Sequence, residues 1–151
     1  MVHIPPGRPF RPRWTDQLVG GRRTLEGIVA LILSRDQLPF TGSSHELEGY
    51  TVGGDIPVSV ILIEMKPGDG PALHSHPYAE IFVVLEGKAT YTVGDREVEV
   101  VAGQVVIALP NEPHAFVNSG DGPLRQVDIH CSDRFITEWL ERRSPVAAAA
   151  R

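Results

Sequence analysis

The chain has 151 residues, of which 42% are hydrophobic, and a formal charge of −5. That size fits one domain with a single core, and the acidic balance excludes a nucleic-acid partner, whose phosphates demand a basic face. The one cysteine, Cys131, has no partner for an intrachain bridge, which fits a reducing cytoplasm and a small, semi-buried apolar role. The longest apolar run, Ile28 to Leu33, is six residues, far below the roughly 20 that span a bilayer. The opening MVHIPPGRPF also lacks the apolar stretch of a secretion signal. A soluble, cytoplasmic protein with no membrane partner is the expectation.

In chain order, Met1 to Arg13 holds four Pro and three Arg and reads as the extended part of an N-terminal arm over residues 1–24, with a disordered tail as the alternative. Residues 25–132 hold a series of strand patterns, and residues 133–151 a short helix and frayed tail. Leu25 to Ser34 is the first strand candidate, with a helix competing for so short a run. His45 to Val52 reads as a polar strand with His45 at the surface, and VSVILIEM from Val58 to Met65 has the highest strand propensity. Pro67-Gly68 closes it. Ile81 to Leu85 is a buried strand and Glu86-Gly87-Lys88 a hairpin turn. Lys88 to Val93 and Glu97 to Val101 form a two-strand hairpin. Val105 to Leu109 and Ala115 to Val117 follow. In the last strand, Leu124 to His130, residues Leu124, Gln126, Asp128 and His130 share a face. The expectation is that this polar face is solvated; if it turned inward, Gln126, Asp128 and His130 would be pocket groups. Beyond it, Phe135, Ile136, Trp139 and Leu140 form a helical stripe over Arg134 to Arg142, capped by Ser132 or Asp133.

Chemistry concentrates in GDGPALHSHPYAEIFVVLEG, Gly68 to Gly87, where His76 and Glu80 follow His74 by two and six residues. On an extended segment those spacings place all three side chains on one face. His114, in LPNEPHAFVN, lies beyond a Pro-rich turn and shares a strand face with Phe116 and Asn118. Imidazoles and a carboxylate suit Fe, Mn, Ni, Zn, Co or Cu and leave positions open. Neither the four-residue helical zinc spacing nor paired cysteines occur. By strand parity, Phe82 and Val84 follow Glu80 inward and Phe116 and Asn118 follow His114, giving a pocket with a largely apolar wall.

These residues resemble the cupin family. Gly68, five residues, His74, one residue, His76, three residues, Glu80, six residues, Gly87 matches the first cupin motif at every fixed position. The second motif is matched in length by Gly103, Leu109, Asn111, His114 and Asn118, with Leu109 where the family has Pro and Asn111 where it has Gly. Asn is the residue that best replaces Gly in a left-handed turn. The resemblance implies an all-β, double-stranded β-helix or jelly-roll barrel with the metal inside it. It also implies a homodimer that exchanges N-terminal strands, and a kinship with small cupin dioxygenases.

The functional expectation is an enzyme in which one divalent ion, held by His74, His76, Glu80 and His114, acts on an oxygen-chelating small molecule. Two chemistries are open. One is dioxygenation at Fe(II) or a similar ion; the other is Lewis-acid enolisation in an isomerase, cyclase or lyase, with Glu80 serving as catalytic base in either. A non-catalytic small-molecule or metal-binding module is the alternative from another class. A structural metal that staples the barrel is a third.

Overall fold

The computed structural model describes residues 31–52 and 56–140. The expected arm at residues 1–24 and the start of the first strand candidate, Leu25 to Ala30, lie outside them. Ten strands form: β1 Ser44–Leu47, β2 Ser59–Met65, β3 His74–Ser75, β4 Glu80–Glu86, β5 Lys88–Val93, β6 Arg96–Val101, β7 Val105–Ala108, β8 His114–Asn118, β9 Leu124–His130 and β10 Glu138–Trp139. They make two five-stranded antiparallel sheets, ordered β1-β2-β9-β4-β7 and β10-β3-β8-β5-β6. From β2 to β10 the chain crosses between the sheets at every connection except the β5–β6 hairpin, so the structure is a double-stranded β-helix, as the family resemblance implies.

The core fills the space between the sheets. Phe82 and Val84 from β4, Ala89 and Tyr91 from β5, Phe116 from β8 and Leu124 from β9 are buried there with Ile63, Val100 and Ala108. Each large apolar side chain removed from water contributes about 2–3 kcal/mol. Inside this core Phe82 stands edge-on to Tyr91, with ring centroids 5.3 Å apart. The strand parity that put Phe82, Val84 and Phe116 inward is thus the parity of the fold.

Four expectations are corrected. Leu31 to Ser34 is not a strand, and Ile32 is 85% exposed. Instead Ser34 caps a 3-10 turn, Arg35–Gln37, with the Gln37 side chain accepting from the Ser34 N–H. The polar strand expected to Val52 ends at Leu47 and gives way to a 3-10 turn, Gly49–Val52. Glu86-Gly87-Lys88 is not a hairpin turn, because β4 and β5 belong to different sheets. It is a corner, and Gly87 turns it at φ 86° where any Cβ would collide with the Pro123 carbonyl. The C-terminal helix does not form over the described part of Arg134 to Arg142, which contains β10 instead. Its backbone groups have better partners: Leu140 N–H donates to the Leu73 carbonyl, and Glu138 and Trp139 pair with Ser75 and His74.

Candidate metal centre

Each sheet brings part of the cluster. In the second sheet His74 on β3 is the direct cross-strand partner of His114 on β8. In the first sheet Glu80 on β4 lies between Ala108 on β7 and His130 on β9. His76 sits on the connection from β3 to β4, whose position is fixed by the Asn111 N–H donating to the His76 carbonyl at 2.7 Å. Asn111 holds the left-handed conformation, φ 62°, that the substitution of Gly by Asn anticipates. The variant turn therefore ties the second motif to the first.

His74, His76, Glu80 and His114 are all buried, and each offers a ligand atom within 4.8 Å of the others. Glu80 Oε2 is 2.9 Å from both His76 Nε2 and His114 Nε2. The His114 contact has hydrogen-bond geometry, whereas His76 Nε2 is out of line and has no partner. On the far side of each ring the partner is a backbone carbonyl. His74 Nδ1 faces the Ala72 oxygen at 2.7 Å, His76 Nδ1 the Ile136 oxygen at 2.7 Å and His114 Nδ1 the Glu112 oxygen at 2.8 Å. A carbonyl can only accept, so these partners assign the proton of each neutral ring to Nδ1 and leave a lone pair on Nε2.

Three lone pairs and a carboxylate then converge with no proton between them, which in a buried site is repulsive unless a cation joins them. The spacing suits one. Bonds of about 2.1 Å to an ion set ligands at right angles roughly 3 Å apart, close to the 2.9 Å seen at Glu80 Oε2. The carbonyl acceptors behind the rings are the partners that orient metal-bound imidazoles. The cluster could hold a divalent ion at a net charge of about +1.

The electrostatics agree with a site built for positive charge. Burial pushes the Glu80 carboxyl up, but imidazole N–H groups turned toward it from His114, His130 and His76 would outweigh this and hold it well below the usual carboxylate range; with those protons on Nδ1, a bound cation takes over that part. Burial lowers His74 to about 4, helped by His114 and His76 and opposed by the Ala72 carbonyl and Glu80, so its ring is neutral and free to ligate at pH 7.

The cluster forms the floor of a cavity of about 410 Å³ whose walls include Ile61, Met65, Phe82, Phe116, Asp128 and Trp139. Of the side chains expected at the pocket, Phe82 and Phe116 line it. Val84 lies in the core, and Asn118 holds the adjoining loops, donating to the Met65 and Gly122 carbonyls. A larger groove of about 560 Å³ runs past exposed Arg35, Glu64 and Arg125, which pair with one another and converge on no ligand set.

Sequence reading leaves the polar face of β9 open between solvent and pocket, with solvent favoured. It faces inward: Gln126, Asp128 and His130 are each at most 3% exposed. Burial is tolerated because the groups satisfy one another. Tyr91 O–H donates to Gln126 Oε1 at 2.8 Å, and Gln126 Nε2–H donates to Asp128 Oδ1 at 2.7 Å. Burial, reinforced by the Glu80 charge and only partly offset by Gln126, pushes the Asp128 carboxyl well above the usual range. His130 Nε2 comes 3.0 Å from Glu80 Oε1. Strand parity grouped these three residues, but nothing in the sequence said which side was in. Tyr78, stacked on His76 with centroids 5.1 Å apart, gives no sequence signal, and Trp139, 5.0 Å from His74, is legible only as part of a helical stripe.

Comparison with known proteins agrees with this architecture. The cupin-domain family profile matches residues 61–130. A search of curated proteins finds no match. Among solved structures, an uncharacterized conserved protein with a double-stranded β-helix domain from Klebsiella pneumoniae aligns at 25% identity with a TM-score of 0.58, over 75% of this chain and 99% of that one. Oxalate decarboxylases align at lower identity. That of Lactobacillus farciminis gives 21% and a TM-score of 0.58 over 68% of this chain and 32% of that chain. That of Bacillus subtilis gives 23% and 0.60 over 67% and 28%. The chain spans about a third of those enzymes, and the likeness shows the fold alone. Among the described residues no helix is long and apolar enough to cross a membrane. Both motifs, the two-sheet winding and the matched profile agree, and residues 61–130 of this chain are similar to a cupin domain.

Proposed function

We propose that the protein is a metal-dependent enzyme that moves a proton on a small oxygen-chelating organic molecule. The observation that carries this reading is the convergence of three imidazole lone pairs and the Glu80 carboxylate on the floor of a cavity. His74, His76, Glu80 and His114 would hold the ion. When bound, it supplies Lewis-acid polarisation of a ligated carbonyl or enol oxygen. Phe82, Phe116, Ile61 and Met65 exclude water and pack an apolar body. Asp128 is fixed by Gln126 at Oδ1 and burial favours its protonated form, so its carboxyl is the group suited to give its proton to the bound carbonyl oxygen while water takes the proton from the neighbouring carbon, and to take it back when the enol is reprotonated at carbon. Glu80, the sequence candidate for the base, is instead engaged by three imidazoles.

The wall also limits the substrate. No lysine or arginine lines the cavity among the described residues, while Glu46 and Asp128 do. A hydroxy-ketone, enol or monoanionic keto acid fits that balance, and a small dianion such as oxalate fits it poorly. The test is to load the protein with one metal and incubate it with enolisable α-hydroxy and β-keto compounds in deuterated water. Deuterium uptake at the carbon beside the carbonyl, reduced at least tenfold in Asp128→Asn, is the expected result. Dioxygen consumption without exchange would transfer the site to dioxygenase chemistry, and binding with neither would make it a non-catalytic module.

A further inference from the structure

Four histidines surround Glu80, but they do not present the same atom. His74, His76 and His114 turn Nδ1 toward backbone carbonyls. His130 turns Nδ1 toward a hydroxyl, Tyr78 Oη, at 3.2 Å. That hydroxyl already accepts from the Ile136 N–H at 2.9 Å. A backbone N–H can only donate, so the phenol's own hydrogen is free for His130 Nδ1. The neutral ring then carries its proton on Nε2, 3.0 Å from Glu80 Oε1. In the opposite tautomer a buried nitrogen lone pair would face a carboxylate oxygen, while the phenol hydrogen would lose its acceptor. Both changes are unfavourable in a site this dry.

We propose that His130 is a positioning residue that donates from Nε2 to Glu80 Oε1 and reserves Oε2 for the metal, and that Ile136 sets this through Tyr78. The division of labour is visible in the distances: His76 and His114 approach Oε2, and His130 alone approaches Oε1. His130 is also outside the four-residue group whose ligand atoms lie mutually within 4.8 Å. The Nε2 contact does not meet hydrogen-bond geometry as it stands, so the proposal requires the carboxylate to turn toward His130. Ile136 acts on two rings in opposite senses. Its carbonyl accepts from His76 Nδ1 and leaves that ring a ligand; its N–H occupies Tyr78 and makes His130 a donor. The stretch expected to be a helix is therefore the strap that assigns both tautomers, anchored by the pairing of β10 with β3.

The proposal rests on the metal reading only for the use of Oε2; the tautomer itself can be tested without an ion. Long-range ¹H–¹⁵N correlation on the full chain, metal-free and zinc-loaded at pH 8, reads the protonated nitrogen of each ring. His130 is expected to carry its proton on Nε2 in both states, with His74, His76 and His114 protonated on Nδ1. A proton on His130 Nδ1, or loss of the Nε2 proton on zinc loading, overturns the assignment. Zinc affinity gives the second readout. His130→Ala and Tyr78→Phe should each weaken it 10–100-fold, non-additively in the double variant, and His130→Gln should restore it to within a few-fold because the amide can still donate. Loss of zinc from His130→Ala as complete as from His74→Ala would make His130 a ligand, and unchanged affinity in both variants would make the chain structural only. If no variant and no wild-type protein binds zinc, the metal reading fails while the metal-free spectrum still decides the tautomer.

Discussion

The two motif segments, Gly68 to Gly87 and Gly103 to Asn118, and the closing segment, Leu124 to Leu140, contribute to the same cavity by different rules. In the motifs, each functional side chain lies a fixed number of residues from a turn that only certain residues can make, as Gly87 at φ 86° and Asn111 at φ 62° illustrate. Position in the sequence is then position in space. In the closing segment, the functional groups depend on what the chain meets: β9 lies between β2 and β4, and Ile136, on the stretch after it, meets Tyr78 and His76. The first region is self-specified, and the second is specified by its neighbours.

Removing the motif carboxylate should have the largest effect on metal binding. Glu80→Gln keeps the volume and loses the charge, so stoichiometric binding should vanish in a calorimetric titration while the far-ultraviolet spectrum remains that of the barrel. Retention of one tight site would detach the carboxylate from the metal. Next in size is the packing beneath it. Phe82 is 1% exposed and touches the rings of Tyr91, His114 and Phe116, so Phe82→Ala should cost about 3–5 kcal/mol in denaturant unfolding. A loss under about 1 kcal/mol would mean that the core is not shared with the site.

The closing segment is best tested by pH. Asp128 is raised, so between its usual range and its folded value the native state holds a proton that the unfolded chain has released; this makes stability fall as pH rises. His74, lowered to about 4 from 6.5, acts in the opposite sense: between those values the unfolded chain binds the extra proton and stability rises with pH. In metal-free wild type the two slopes offset each other across that window. Asp128→Asn removes one of them, so its stability should climb relative to wild type, by up to about 1.4 kcal/mol per pH unit, as pH rises above the usual carboxylate range. Parallel curves would show that Asp128 is ionised in the fold. Smallest of all is the turn: Asn111→Ala should cost about 1 kcal/mol and Asn111→Gly almost nothing, as read from thermal midpoints.

Most of the barrel and the four converging residues were legible in the sequence because they follow from periodicity and spacing. Phe82 and Phe116 reach the cavity through simple alternation. What was not legible depended on partners far away in the chain. Alternation groups Gln126, Asp128 and His130 but is blind to which face is covered, and the usual bias sends a polar face outward. Only Tyr91, 35 residues away from Gln126, makes the inward choice affordable by donating to it. The stripe of Phe135, Ile136, Trp139 and Leu140 has helical spacing, yet the Ile136 and Leu140 backbone groups find partners in Tyr78, His76 and Leu73. Long-range hydrogen bonds overrode a local preference worth only tenths of a kcal/mol per residue.

The most direct measurement is the metal content of protein purified without added metal or chelating resin, beside His114→Ala prepared in the same way. The account predicts about one transition-metal ion per chain in the wild type and none in the variant, with both retaining the barrel. Wild-type protein that holds no ion and takes none up on titration, or a variant with unchanged content, would contradict it.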